Sequence, residues 1–293
     1  MIQCIIRIPA MIESRLYAYG KDSIRQVYKE YTLKVSQSTK NAIKYPICFI
    51  HGGAWRDPKN DYNDYEKLIR YIDNAFLVKG NAESRSAKIQ FFSIDYRLSP
   101  EVRHPKHLTD ALQCLKSISK KFDVTDVTLC GHSVGATLIT QILERQKILK
   151  EYGVPEEQFE PLPNIRRVMF LDGIYDVNSL LREYPSYNSF VGEAFKDNDY
   201  VSKCNMISSG TKSQEAAGIY NALERIVILH SSRDQLLSFQ QPEEFVNWLL
   251  EIGVDESKLK GCYWIDDFGK HNEVYQSPKV ADLLVDDIIS RTK

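Results

Sequence analysis

Ser133 stands in the string Gly131-His132-Ser133-Val134-Gly135, directly after the apolar run Val127–Cys130 and directly before Ala136-Thr137-Leu138-Ile139-Thr140. G-x-S-x-G between a strand and a helix lets the chain turn sharply, with its glycines avoiding a Cβ clash, and lifts the serine Oγ above a sheet edge. The helix that follows points its positive end at the same place. The chemistry such a serine can do is nucleophilic attack on an acyl carbon. A plain glycine-rich strand-to-helix turn is the alternative reading.

A serine hydroxyl attacks only when a histidine takes its proton, and that histidine needs a carboxylate to fix its tautomer and stabilise its charged form. The expected chain order is serine, acid, histidine, each in a loop at the carboxyl end of a strand. Asp234 follows the strand-like run Ile226–His230, and His271 follows the last such run in Asp266-Asp267-Phe268-Gly269-Lys270-His271. His271 is therefore the candidate base and Asp234 the candidate acid, with Asp172 the alternative acid at the end of the preceding strand. His132 reads as scaffold of the turn and His230 as a satisfied core histidine. His104 and His107 read as surface or cap residues. A tetrahedral intermediate also needs donors for its oxyanion. The loop His51-Gly52-Gly53-Ala54-Trp55 follows another strand-like run, and its Gly53 and Ala54 amides, with that of Val134, are the candidate donors. His51 reads as a brace for that loop, and Trp55 as a pocket wall or equally as a structural aromatic.

Positioning these residues requires a particular architecture. Strand-like runs at Pro46–Ile50, Lys88–Ile94, Val127–Cys130, Arg167–Leu171, Ile226–His230 and Gly261–Ile265 alternate with helix-like segments. The latter are roughly Asp64–Val78, His107–Lys121, Val134–Lys150, Pro242–Ile252 and Pro278–Ser290. Continuous apolar strands separated by helices imply a mostly parallel sheet covered on both faces, an α/β fold. Glu30–Val35 could add an antiparallel edge strand. One domain over residues 1–293 is expected, with a cap or lid excursion at about 172–223; a plain extended loop is the alternative there. Its aromatics Tyr175 and Tyr187, with Trp55, are the candidate pocket walls.

Composition excludes several classes. The 293 residues carry a net charge of −1 (38 basic, 39 acidic) without a long basic block, which favours neither nucleic acid nor an anionic membrane. The apolar share of 43% and charged share of 26% are those of a globular protein, and no apolar run reaches the ~20 residues of a membrane span. The N-terminal stretch is interrupted by Arg7 and Pro9 and lacks a basic lead-in, so a cleaved secretory signal is not expected. Six scattered cysteines (Cys4, Cys48, Cys114, Cys130, Cys204, Cys262) without C-x-x-C spacing suit a reducing, cytoplasmic compartment and give no zinc site.

Taken together, the H-G-G-A-W loop, Asp95-Tyr96-Arg97-Leu98-Ser99-Pro100-Glu101 and the serine turn resemble the esterase branch of the α/β-hydrolase fold. Gly131–Thr137, Leu171-Asp172-Gly173-Ile174-Tyr175, Glu183-Tyr184-Pro185 and His271-Asn272-Glu273-Val274-Tyr275 are similar to the fungal-type kynurenine formamidases, whose H-G-G-x-W motif His51–Trp55 matches. The resemblance runs from about Tyr31 to the C-terminus, with extra residues around Gly80–Ala87 and before Tyr31. It implies hydrolysis of N-formyl-L-kynurenine to L-kynurenine and formate in tryptophan breakdown, by Ser133, Asp234 and His271. No cofactor and no metal are implied, since the metal-dependent kind of formamidase uses clustered His and Asp that the sequence does not display. A homodimer is implied as the assembly. Arg182, Glu183 and Asn188 are candidates for holding the amino-acid head. The competing readings are a general esterase for small acyl groups with the same three residues, and a non-catalytic binding protein on this scaffold.

Overall fold

The computed structural model describes residues 12–33, 44–80, 88–196 and 203–290. Cys4, Val35 and residues 81–87 lie outside them. Eight strands form one sheet: β1 (Glu13–Ala18), β2 (Val27–Thr32), β3 (Lys44–Ile50), β4 (Lys88–Ile94), β5 (Asp126–His132), β6 (Asn164–Leu171), β7 (Arg225–Ser231) and β8 (Tyr263–Asp266). Their spatial order is β1-β2-β4-β3-β5-β6-β7-β8; β1/β2 and β2/β4 are antiparallel and the remaining pairs parallel.

The expected antiparallel strand is present as β2, yet it is not the edge. Glu13–Ala18 pairs with it and takes the edge position. That strand is short and mostly exposed, so it carries no apolar alternation to announce it.

Each central strand feeds two cores through its period-two alternation. Cys48 and Ile50 of β3, Leu129 of β5 and Val168 and Phe170 of β6 face one apolar cluster. Phe49, Cys130, Met169 and Leu171 face the other. The first cluster is closed by α2 (Lys106–Phe122), α3 (Val134–Leu143) and α8 (Gln240–Glu251), the second by α1 (Glu66–Lys79) and α9 (Pro278–Ser290). Burying a single Phe or Leu of such faces is worth roughly 1.5–3 kcal/mol against leaving it in water. The long helix expected over Val134–Lys150 is interrupted at Glu144, where α4 (Arg145–Glu151) begins. Glu144 is buried there and accepts hydrogen bonds from the Met206 amide and the Tyr220 hydroxyl.

Between β6 and β7 the chain forms the helical excursion α5 (Val177–Glu183), a 3-10 turn at Pro185–Tyr187, α6 (Asn188–Ala194) and α7 (Gln214–Asn221). Asp176 caps α5 by accepting the Asn178 and Ser179 amides, and Gln241 of α8 receives the Tyr175 and Asp176 amides at the root of the excursion. The chain winds from β3 to β4 on one side and then to β5 on the other. The crevice at the carboxyl ends of β3 and β5 is thus the point where strand order reverses, the usual ligand position in such sheets.

The helix α3 approaches β3 too closely for any side chain at Gly135. A Cβ there would lie 2.2 Å from the Ile50 carbonyl oxygen, which is backbone and cannot swing aside. Gly135→Ala should therefore lower stability by about 1–3 kcal/mol, as overpacking of a tight contact does. A denaturant midpoint unchanged from the parent would contradict this close approach.

Candidate active site

The turn after β5 holds Ser133 at φ 54° and ψ −121°, a left-handed conformation rare for a residue with a side chain. Its amide donates to Leu171 O at 3.0 Å, and its carbonyl accepts from Ala136 and Ile174, so the turn is tied to both neighbouring segments. Gly131 precedes it for the same reason that Gly135 follows it: a Cβ at Gly131 would meet the Gly135 carbonyl at 2.5 Å.

The loop after β3 turns through three successive left-handed residues, Gly53 (φ 88°), Ala54 (φ 51°) and Trp55 (φ 55°). Gly53 O accepts the amides of Arg56 and Asp57, which closes the turn. A Cβ on Gly53 would strike Asn60 Oδ1 at 2.7 Å, so glycine is required there by both conformation and space. His51 braces the loop. Its Nε2 contacts Asp95 Oδ1 at 3.1 Å, its ring stacks on Tyr96 at 4.4 Å, and Tyr96 Oη donates back to the His51 and Gly52 carbonyls. Arg25 pairs with Asp95 at 2.8 Å and extends the brace to β2's leading turn.

His271 lies in the loop after β8, with its Nδ1 2.7 Å from Asp234 Oδ2. Asp234 is fixed in turn by the Leu236 and Leu237 amides, both donating to its Oδ1. Burial opposes ionisation of Asp234, but the hydrogen bond and charge of His271, with those two amides, outweigh it and hold the carboxyl below the ordinary carboxylate range. His132 Nε2 contacts His271 O at 2.9 Å, and its ring packs against those of His271 and Tyr275. Burial, with the His271 charge second, lowers its pKa well below the usual histidine range, so His132 serves as a neutral prop for the histidine loop.

Ser133, Gly53, Ala54 and His271 line one cavity of about 500 Å³, together with Arg56, Asp57, Asn60, Ile174, Tyr187, Phe190, Leu236 and Asn272. This volume is that of a small-molecule site. Tyr187 lines this cavity, its hydroxyl donating to Leu236 O. Two other expected pocket walls are corrected. Trp55 is buried behind the loop, between Phe190 and Phe195. Tyr175 is fully buried in the core, stacked on Phe245 at 4.2 Å. Both aromatics fill space next to the site, and sequence alone does not say which side of a loop a ring will take. Arg182, Glu183 and Asn188 are not among the lining residues either. Arg56 is, held by Glu193 and by Ser189. It adjoins the H-G-G-A-W string, and that adjacency was the available signal.

Three histidines also depart from expectation. His104 and His107 are buried rather than superficial. His107 contacts Ser99 Oγ, and burial pushes it down to about 4. His230 is buried, yet neither ring nitrogen makes a well-formed hydrogen bond. It sits with Asp172 and Asp234, the polar atoms of the three lying within 4.8 Å of one another. The expectation that no His/Asp cluster exists is thereby corrected, because residues far apart in sequence meet at the ends of β6 and β7. Among the described residues no helix is long and apolar enough to cross a membrane, and Cys48, Cys114, Cys130, Cys204 and Cys262 are free thiols, all buried.

A family model for the alpha/beta hydrolase fold matches residues 47–158. Among solved structures, esterase B from Lactobacillus rhamnosis superimposes with a TM-score of 0.69 at 17% identity, covering 97% of this chain and 88% of its own. A thermostable esterase from Pseudomonas putida does so at 0.60 and 15%, with 97% and 83% covered. Curated relatives are nearer. A kynurenine formamidase of Meyerozyma guilliermondii is 38% identical over 280 residues, 95% of either chain. That of Saccharomyces cerevisiae is 35% identical over 262 residues, 87% of this chain and 91% of its own. With that identity over nearly its whole length and the sheet described above, the chain belongs to the kynurenine formamidases of the α/β-hydrolase fold.

Proposed function

We propose that this protein hydrolyses N-formyl-L-kynurenine to L-kynurenine and formate, in tryptophan catabolism, by a serine mechanism. The observation that carries the reading is the left-handed Ser133 turn facing, across one cavity, a His271 whose Nδ1 is held by Asp234 at 2.7 Å.

Ser133 Oγ attacks the formyl carbon while His271 Nε2 takes the hydroxyl proton. The oxyanion is received by the amides of Gly53, Ala54 and Val134. The imidazolium then gives its proton to the aryl nitrogen as the C–N bond breaks, and kynurenine leaves. Water, activated by the same histidine, attacks the formyl ester and releases formate and free Ser133. Asp234 keeps His271 in the required tautomer and balances its charge. An unhindered formyl group and an aniline leaving group suit this machinery.

Selectivity is assigned to the cavity walls. Phe190 and Tyr187 supply aromatic faces, and Ile174 and Leu236 apolar contact. Arg56, the one permanently charged cation among the described lining residues, lies over the Phe190 ring at 5.9 Å and is suited to the substrate carboxylate. Homodimerisation and a cytoplasmic location belong to the same proposal, supported by family resemblance and by the buried free thiols.

A general esterase with the same residues remains the second reading, because a fold and its site machinery do not set the substrate. Variants of the cavity walls test between the two. Tyr187→Ala or Arg56→Ala should depress kcat/KM for N-formylkynurenine by about tenfold or more, with little change for p-nitrophenyl acetate. Equal losses on both substrates would favour the esterase. Tyr175→Ala, by contrast, should hurt both substrates through loss of packing.

Ser133→Ala and His271→Ala should each lower turnover by about 10³–10⁶-fold with the fold intact, and the double variant should be little worse than either. Additive losses would contradict a joint role. A fluorophosphonate should label Ser133, and failure to label would support a binding protein instead. Chelators should leave activity unchanged; inactivation by EDTA, reversed by zinc or manganese, would contradict the serine mechanism.

A further inference from the structure

Behind His271 the structure holds one carboxyl more than a base and its acid require. Asp172 follows β6 directly at a left-handed φ of 43°, and its side chain is fully buried. Its Oδ1 accepts the Ser231 amide at 2.7 Å. Its Oδ2 has no hydrogen-bond partner and lies 3.9 Å from His271 Nδ1. That nitrogen is already committed to Asp234 Oδ2 at 2.7 Å, so it does not satisfy Asp172 as well.

The groups facing Asp172 come from three places. From β7 and its loop come His230, 3.8 Å from Oδ1, and Asp234. From the loop after β8 comes His271. From its own loop comes Tyr175, a buried phenol whose pKa burial raises well above the ordinary value. Among the described residues, its ion-pair contacts are with the two histidines alone. His230 supplies no cation there, because burial lowers its pKa. Two buried carboxylates this close, with no permanent cation between them, do not both stay ionised. Burial first, and the charge of Asp234 second, push Asp172 up to about 8. Asp234 is held low by His271 and two amides, so the retained proton belongs to Asp172.

We propose that Asp172 is a neutral carboxylic acid whose Oδ2 hydroxyl donates to Asp234, making the group that orients His271 a carboxyl pair sharing one proton. The proposal gives the orphaned Oδ2 a partner. Asp172 touches no reacting atom and acts through Asp234, as a positioning residue. It rests on the assignment of Asp234 and His271 made above.

The sign of its pH dependence follows. When Asp172 loses its proton to solvent, Asp234 loses a donor and faces a second negative charge, which drives it from His271. Turnover should therefore fall as pH rises through the titration of Asp172. A folded-state pKa above the ordinary carboxyl value also means that its share of stability is complete below that ordinary value. That share is lost as pH climbs toward 8.

The test is infrared spectroscopy of the full-length enzyme carrying carboxyl-labelled aspartate, titrated from acid to alkaline pH, beside Asp172→Asn. A protonated-carboxyl band should be present at neutral pH, disappear on the alkaline side, and be missing from Asp172→Asn. That variant keeps an N–H donor, so it should retain turnover within several-fold at neutral pH while its alkaline fall moves up or vanishes. Asp172→Ala, with no donor, should lose more kcat at similar KM. Should Asp172→Asn fail to fold, Asp234→Asn serves instead: removing the partner's charge should shift the band's titration. The proposal is overturned by the absence of such a band, by an identical alkaline limb in Asp172→Asn, or by an Asp172→Asn defect as deep as that of Asp234→Asn. A band that behaves as expected in an enzyme inactive on N-formylkynurenine would instead indict the proposed function alone.

Discussion

At Ser133 the backbone is held in a conformation that costs an L-residue of order 1–3 kcal/mol, and the surrounding contacts are what sustain it. Gly131 and Gly135 allow β5, the turn and α3 to close on one another, with the Ile50 carbonyl of β3 against Gly135. The Ser133 amide and carbonyl are tied to Leu171, Ala136 and Ile174. The same contacts fix the ends of β3 and β6, where the Gly53 loop and Asp172 begin. Relaxing the serine turn would therefore disturb the Gly53 loop and the Asp172 cluster together, not the serine alone.

The second constraint is electrostatic. Asp172, Asp234, His230 and His271 are packed into a region with little exposure. Such a cluster is stable only if charge is kept low and directed along one path. The contact between His271 and Asp234 is that path, and His132 props the carbonyl of His271 so that the ring keeps its angle.

Much of the frame was legible in the sequence. Apolar four- to seven-residue runs at β3 to β8 alternate with helices, and the order of motifs put Ser133, Asp234 and His271 each after a strand. Asp234 and His271 meet because β7 and β8 are neighbours, which strand spacing alone suggests. Less legible were features set by tertiary packing. β1 has no apolar pattern, being an exposed edge. Trp55 and Tyr175 read as pocket aromatics but turn inward, since a ring's side of a loop is decided by what fills the core behind it. The contact of His230 with Asp172 and Asp234 depends on strand register, which no local pattern reveals. Arg56 carries no periodic pattern of its own; its one signal is that it directly follows the H-G-G-A-W string.

In the proposed mechanism Ser133 carries the formyl group between the two halves of the reaction. The direct measurement is rapid acid quenching of the enzyme during turnover of N-formyl-L-kynurenine, followed by peptide mass spectrometry. One added formyl group is expected on the peptide containing Ser133, formed before formate is released and missing from Ser133→Ala. Full turnover by Ser133→Ala, or formylation confined to another residue, would contradict it.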